Sequence, residues 1–370
     1  MNEQLPIRIL QCTSKLTVGG VQRFLIKYGE KLISKGIIFD YIVQTDEEQP
    51  FDRKVTDEGS IIYHVTSMNK SVIRYMIDVY KILRKHPEYK IVHVHLNFAS
   101  IAALIAAKLA GVRVRICHSH NNYEASGLKS RVARGVFRKV YPIFATDCWA
   151  CGQDAANWLY GSKCKNVSII HNAVDTNMYM FNEQTRIRLR HKLGIVEKTA
   201  WIHVGMFGKA KNHTFLLKIF SEFVKENPDS VLLLCGSGEE QEIIHQKIYD
   251  LGIQENVMEL GMIRNVQDYY MAADLMVFPS LCEGLPFAIV EAQTTGLPCV
   301  VSQAVPEEIC FDGVQRVLKW DVNAWIDAVN ASLKKNFDRQ NAWKTIRQQG
   351  YDIDMETDSL QKKYLRMYQR

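Results

Sequence analysis

The sequence predicts an α/β protein built of two consecutive doubly wound domains. Three observations carry this. Short apolar runs alternate with amphipathic helical patterns from end to end, the pattern of parallel strands joined by right-handed crossovers. The alternation lapses over SIIHNAVDTNMYMF (168–181) and then restarts. The length, 370 residues, suits about two domains of roughly 100–200 residues each. The expected division is a first domain over 1–175, a second over 176–345, and a C-terminal helix over 346–370 that is placed to pack back on the first.

The elements follow in order. IRILQCT (7–13) reads as a buried strand entering the turn from Lys15 to Gly20. In VQRFLIKYGEKLISKG (21–36), Phe24, Leu25, Tyr28, Leu32 and Ile33 form a helical stripe, and Gly36 closes it. IIFDYIVQ (37–44) is the next strand. IVHVHLN (91–97) is a strand opening onto an Ala- and Leu-rich helix from Ala99 to Ala110, which Gly111 ends before the strand VRVRICHS (112–119). In the second half TAWIHVGMF (199–207) is a strand, HTFLLKIFSEFVKENP (213–228) an amphipathic helix stopped by proline, and VLLLCGSG (231–238) a strand entering a glycine turn. DLMVFPS (274–280) and PCVVS (298–302) are strands flanking a helix. Ligands of such folds bind outside the carboxyl ends of the strands.

Composition narrows the function. With 47% hydrophobic and 23% charged residues the chain reads as an ordinary soluble protein. No run approaches the roughly 18–20 apolar residues of a membrane span, and MNEQLPIRILQCTS lacks a charged-then-apolar leader. Nine cysteines, an odd count in mostly apolar surroundings, suit reduced thiols in a cytoplasmic protein. Cys148 and Cys151 form one CxxC with no second ligand pair, so they read as buried cysteines and no metal site is expected. Residues 1–180 hold 24 basic against 15 acidic side chains and residues 181–370 hold 22 against 25, so the net +6 divides into +9 and −3. An anionic partner is therefore expected on the first half, with solvated surface charge as the alternative.

Several motifs bear on chemistry. Gly19-Gly20 lies between the first strand and the first helix, and Gly236-Ser237-Gly238 repeats that arrangement in the second half; both positions offer backbone N–H groups to an anion. Neither is a GxGxxG fingerprint and no GxxxxGK[ST] loop is present, which argues against a dehydrogenase and a P-loop kinase. Lys209 and Lys211 stand ahead of a helix N-terminus, where ammonium groups are unfavourable unless an anion such as a diphosphate lies between them. His118 and His120 are two apart at a strand end and project to one side, toward a substrate hydroxyl or into a structural hydrogen bond; without a third ligand nearby, metal binding is weakly supported. In FPSLCEGLPFAIVEAQTTGLPCVVS (278–302), Glu283 precedes a helix and Glu291 lies within it, an arrangement suited to gripping a polyhydroxy ligand whose phosphate meets the helix N-terminus. GLKSRVARGVFRKVYPIF (127–144) carries Lys129, Arg131, Arg134, Arg138 and Lys139 with no acid, interleaved with Val132, Val136, Phe137 and Val140. It reads as a surface for an anionic membrane or a lipid diphosphate, or as a solvated helix face. No nucleic-acid reading module accompanies it.

The stretch EGLPFAIVEAQTTGLPCV resembles the E-x7-E signature of the family 4, or group 1, retaining glycosyltransferases. The Gly19-Gly20 turn is similar to that family's GG loop, HNAVDTNMY (171–179) to its hinge, VLLLCGSGEE to its second glycine turn, and ELGMIRNVQDYYMAADLMVFPS (259–280) to its base-binding loop and following helix. The resemblance spans essentially the whole chain and is nearest to enzymes of bacterial capsule and exopolysaccharide assembly. It implies the GT-B fold, two Rossmann-like domains facing a central cleft that closes about 172–181. It also implies metal-independent transfer, with retention, of a hexose or N-acetylhexosamine from a nucleotide-diphosphate sugar, a UDP-sugar first, to a lipid-linked or polysaccharide acceptor. No cofactor is implied, and a peripheral place on the inner face of the cell membrane is.

The resemblance also implies residue roles. Glu291 holds the ribose and Glu283 the transferred sugar. Gly284, Leu285 and Phe287 present backbone N–H groups, and Lys211 neutralises the departing diphosphate with Gly205, Lys209, Gly236 and Gly238 around it. Met262, Ile263 and Arg264 receive the base. On the acceptor side stand Gly19, Gly20, His118, His120 and Asn121, with His120 against the sugar near the reacting carbon. One departure is plain: the family's usual G-R-[LF] arginine is Met206 here, in Gly205-Met206-Phe207. Losing one such donor costs about 10²–10³ in rate, which keeps open a catalytically silent nucleotide-sugar-binding subunit as a rival; an epimerase or hydrolase of the same fold, which needs no acceptor, is the other.

Overall fold

A computed structural model describes residues 6–17, 19–120, 128–162, 164 and 166–370, the side chains of 128–130 excepted. The chain divides into two units, Met1–Asn172 together with Ile353–Arg370, and Ala173–Asp352.

Unit 1 begins β1 (Ile7–Cys12), α1 (Gly20–Ile33), β2 (Ile37–Val43), α2 (Asp52–Asp57), β3 (Ile62–His64), α3 (Val72–Lys85) and β4 (Ile91–Val94). It continues with α4 (Ser100–Leu109), β5 (Val114–Ser119), α5 (Leu128–Phe144), β6 (Asp147–Ala150), α6 (Gln153–Tyr160) and β7 (Val167–Ile169). The strands form one parallel sheet in the order β3-β2-β1-β4-β5-β6-β7. Crossover helices cover the sheet, which is why β1, β4 and β5 are buried nearly throughout rather than on alternate residues.

Unit 2 contains α7 (Glu183–Leu193), β8 (Thr199–Val204), α8 (His213–Glu226), β9 (Ser230–Cys235), α9 (Gln241–Asp250), β10 (Val257–Gly261) and α10 (Val266–Ala272). Then come β11 (Leu275–Phe278), α11 (Phe287–Thr294), β12 (Cys299–Ser302), β13 (Val314–Val317), α12 (Val322–Leu333) and α13 (Ala342–Gln348). Its sheet is parallel, in the order β10-β9-β8-β11-β12-β13. The core on one face sets Trp201, Phe220, Phe223 and Trp325 among the aliphatics of β9, β11 and β12, with the Trp201 and Phe223 rings 4.7 Å apart. Local chemistry fixes the ends of its helices: Asn182 caps α7 by accepting from Thr185, and Gly194 closes it in the left-handed region that a Cβ disfavours. A last helix, α14 (Ile353–Tyr368), belongs to unit 1, where Lys31 of α1 and Lys35 just beyond it pair with Asp354 and Asp358 at 2.7 and 2.5 Å.

Candidate active site

In chain order the strands of unit 2 run 3-2-1-4-5-6 across its sheet, so connections leave β8 and β11 in opposite directions and a crevice opens outside their carboxyl ends. The residues singled out in this half follow those strand ends and those of the neighbours β9 and β10. Gly205 to Lys211 follow β8, Gly236 and Gly238 follow β9, Met262 to Arg264 follow β10, and Glu283 follows β11.

Lys211 and Glu283 meet directly. Lys211 Nζ donates to Glu283 Oε1 at 2.5 Å, with the lysine side chain 21% exposed and the carboxylate 8%. The ammonium also lies 4.7 Å from the centroid of the Phe278 ring, a cation–π contact at the end of β11. Leu281 N donates to Ala210 O at 2.8 Å, binding the two connections together beside the pair. The lysine stem runs past Gly205, where a Cβ would stand 3.2 Å from Lys211 Cε.

The second glycine turn has a packing reason as well as a ligand one. Gly236 has φ +153, and a Cβ there would fall 1.9 Å from Gly205 O; at Gly238 it would fall 2.3 Å from Phe207 O. The turn after β9 is thus pressed against the turn after β8, laced by Gly205 N to Cys235 O at 3.0 Å and Phe207 N to Ser237 O at 2.9 Å. Glu291 is buried within α11 and accepts from Tyr270 Oη at 3.1 Å, so α10 orients this carboxylate. Gly284 is partly buried, Leu285 and Phe287 are buried at the start of α11, Ile263 is half-buried, and Met262, Arg264 and Lys209 are exposed. Met206 is 63% exposed in the turn after β8.

Two histidines that sequence reasoning passed over stand behind Lys211. His203 Nδ1–H donates to Val277 O, 2.9 Å away, and His213 opens α8 with its ring 4.7 Å from that of Phe207. Burial first, and then neighbouring positive charge, lowers both: His203 well below its usual value and His213 to about 4. Both are neutral at physiological pH. Their signal in the sequence was apolar company, which reads as core.

Unit 1 repeats the 3-2-1-4 order, with Gly19-Gly20 after β1 and the ends of β4 and β5 beside it. Gly19 caps α1 in an extended conformation, and around Gly20 a Cβ would meet nothing within 4 Å. His118 and His120 do project to one side, but they are not alone there. In the parallel ladder Gln11 is level with His93, and His93 with Ile116, two residues before His118, so Gln11, His93, His95, His118 and His120 share one face of the sheet. His93 Nε2 and His118 Nδ1 are 3.1 Å apart, His95 Nδ1 and His120 Nε2 2.7 Å, and His95 Nε2 and Gln11 Oε1 2.8 Å. The absence of a third nearby histidine, on which the sequence reading of His118 and His120 rested, is corrected here: the third and fourth come from the preceding strand. Two HxH pairs, HVH and HSH at successive strand ends, were the signal. All four rings are buried, and burial lowers their pKa values, that of His120 to about 3. His118 is fully buried, whereas His120 is 5% exposed at the carboxyl edge. Asn121 lies outside the described residues.

On α5, Arg138 turns inward to the carbonyls of Asn157, Trp158 and Leu159, so it serves the C-terminus of α6 rather than the basic surface expected of it. Arg134 lies 5.3 Å from the Trp158 ring. Arg131 and Lys139 are exposed together with Val132 and Val136, each 56% exposed. The Lys129 side chain lies outside the description. Among the described residues no helix is long and apolar enough to cross a membrane.

Comparison with known proteins agrees with this layout. The family model for group 1 glycosyl transferases matches residues 198–335, and that for glycosyltransferase family 4 matches residues 18–178. The chain is 28% identical over 364 residues to the EpsF protein of Bacillus subtilis (strain 168), covering 95% of each. It is 30% identical over 335 residues to the UDP-Gal:alpha-D-GlcNAc-diphosphoundecaprenol alpha-1,3-galactosyltransferase of Escherichia coli, covering 84% of each. Its fold matches the crystal structure of Anabaena Alr3699/HepE in complex with UDP and glucose with a TM-score of 0.81, at 19% identity over 97% of this chain and 99% of that one.

Proposed function

Because the chain belongs to the family 4, or group 1, glycosyltransferases, we propose that it moves a hexose or N-acetylhexosamine from a UDP-sugar to a lipid-linked or polysaccharide acceptor in bacterial surface glycan synthesis. Transfer proceeds with retention and without a metal ion in the reacting centre. The observation that carries this reading is the Lys211–Glu283 pair at the crevice between β8 and β11. A buried carboxylate holds a lysine in place before a diphosphate arrives, so little reorganisation is needed when negative charge builds on the leaving group.

The roles follow from position. Lys211 donates to the departing diphosphate, and the turns at Gly205 and Gly236–Gly238 bring backbone close to it. Glu283, once Lys211 turns to phosphate, accepts from hydroxyls of the sugar. Glu291, oriented by Tyr270, accepts from ribose hydroxyls. The exposed loop at Met262, Ile263 and Arg264 receives the base. His120, neutral and at the edge of its sheet, meets the sugar near the reacting carbon, and Gly19-Gly20 with open space beside Gly20 admits the acceptor side. The acceptor oxygen attacks the anomeric carbon on the face from which UDP leaves; its proton departs with the diphosphate. The name of the Escherichia coli relative, with a UDP-sugar and a diphosphoundecaprenol acceptor, supports this choice of substrates. The exposed Arg131, Lys139, Val132 and Val136 of α5 support a peripheral place on an anionic membrane, on its cytoplasmic side.

Met206, exposed where the family usually has arginine, favours a second reading: donor binding with slow or no turnover, in support of a partner transferase. A thermal-shift screen of UDP-, GDP- and ADP-sugars, followed by product analysis with and without acceptor, separates the two. Stabilisation by UDP-sugars with acceptor-dependent product is expected. Binding without product supports the second reading, sugar release without acceptor indicates a hydrolase, and no stabilisation by any nucleotide sugar overturns both readings.

A further inference from the structure

The buried imidazoles of unit 1 are an expensive way to fill a sheet face. An aliphatic core needs no internal partners, whereas each polar atom left unpaired in a core is destabilising. Here His118 Nε2, His120 Nδ1 and Gln11 Nε2 have no hydrogen-bond partner among the described residues, although their side chains are at least nine-tenths buried. His93, His95 and His118 also stand so that one ring nitrogen from each lies within 4.8 Å of the others.

We propose that His93, His95 and His118 form a buried three-histidine site for one divalent late first-row transition metal, zinc above all, set in the sheet of unit 1 beside His120. Two nitrogens bound to a tetrahedral zinc at roughly 2.0–2.1 Å stand about 3.3 Å apart. The His93–His118 separation of 3.1 Å is already close to that value, and His95 needs a small ring movement to join. Tautomers are set from outside the cluster. His95 Nε2–H donates to Gln11 Oε1 at 2.8 Å, and metal on His93 Nε2 goes with the tautomer in which His93 Nδ1–H donates to Tyr364 Oη, 2.7 Å away. Those two bonds leave lone pairs on His95 Nδ1 and His93 Nε2, the nitrogens that face His120 and His118. Orientation of a ligand imidazole by a hydrogen bond on its other nitrogen is the usual arrangement of a protein metal site.

The donor set selects the ion. Three imidazoles with no carboxylate among them suit zinc, cobalt, nickel or copper and not magnesium or calcium, which require oxygen. Phe24, Trp149 and Tyr364 close the surroundings, with Phe24 5.2 Å from His118, Trp149 4.9 Å from His93 and Tyr364 6.1 Å from His93 between ring centroids. Because α14 supplies Tyr364, the metal would tie the last helix to the central strands and act on stability.

The test uses the full chain without an oligohistidine tag, produced in zinc-supplemented medium and desalted. About one zinc per chain by elemental analysis is expected, with His93→Gln and His95→Gln each losing at least nine-tenths of it and His245→Gln, an exposed histidine, losing none. X-ray absorption of the zinc-loaded wild type reads the ligands directly and does not depend on the variants folding. A shell of at least three imidazole nitrogens at about 2.0 Å is expected. Less than a tenth of an equivalent of zinc in the wild type, retention of zinc by both variants, or a shell containing sulfur overturns the proposal. None of these outcomes bears on the Lys211–Glu283 pair, which lies in unit 2.

Discussion

Lys211 Nζ lies 2.5 Å from Glu283 Oε1 and 4.7 Å from the Phe278 ring, so one lysine joins the connections that leave β8 and β11 in opposite directions. Each partner is held in its mostly buried place by the other. Glu283→Gln keeps the shape but removes the charge that positions the lysine, and Lys211→Met removes the cation. Both are expected to lower kcat/KM for UDP-sugar turnover by about 10²–10³. Circular dichroism identical to wild type would show the loss to be chemical. Wild-type turnover in either variant removes the pair from the reaction.

Met206 offers the reverse experiment. It is 63% exposed, so Met206→Arg meets no packing barrier and is expected to alter stability by less than about 0.5 kcal/mol. A restored second cation should raise kcat about tenfold or more. An unchanged or lower kcat means that the diphosphate does not pass this side chain.

Gly236→Ala should disrupt unit 2. With φ at +153 and a Cβ 1.9 Å from Gly205 O, the two turns must separate, at a cost of about 2 kcal/mol or more. Denaturant titration measures the loss, and UDP-sugar affinity should fall with it. Tolerance of alanine would show that the turns are not held together.

His203 and His213 predict a pH dependence. Their folded pKa values lie below the usual value near 6.5, that of His213 at about 4, so the unfolded chain binds protons that the native state refuses. Stability is therefore full above about pH 6.5 and declines as pH falls toward 4, by up to about 1.4 kcal/mol per pH unit for each histidine. His213→Asn should remove one such contribution over that window. Equal pH slopes for variant and wild type would contradict it.

For α5 the readout is co-sedimentation with vesicles. Val132→Glu with Val136→Glu should cut recovery on anionic phosphatidylglycerol vesicles about tenfold relative to wild type, by removing buried apolar area and adding like charge. Equal recovery of wild type on anionic and neutral vesicles would remove the membrane from the account.

The central strands β1, β2, β4 and β5 of one sheet and β8, β9, β11 and β12 of the other could be read ahead of the structure because buried parallel strands are largely apolar runs, as in VLLLC and IVHV, whereas β6, β7, β10 and β13 toward the sheet edges were not read. Order within the sheets could not, since it depends on which way each crossover turns, a non-local choice. The same limit hid the pairing partners. Glu291 and Lys211 stood out by spacing, but Tyr270 and Glu283 as their contacts come from elements far along the chain. His93 and His95 passed as strand residues because only strand adjacency brings them to His118 and His120. Arg138 looked like a surface base because nothing in its neighbourhood announces the carbonyls of 157–159. Short β3, with three residues, carried too little pattern to register.

Unit 1 is also the unit whose pieces are furthest apart in time. Its first 172 residues leave the ribosome well before α14, and all of unit 2 is made in between. Until Tyr364 arrives, the face carrying His93 and Trp149 lacks its cover, while unit 2 already has every strand it needs. The domain synthesised first is thus completed last, and the nascent chain spends that interval with an apolar, histidine-rich face in reach of chaperones.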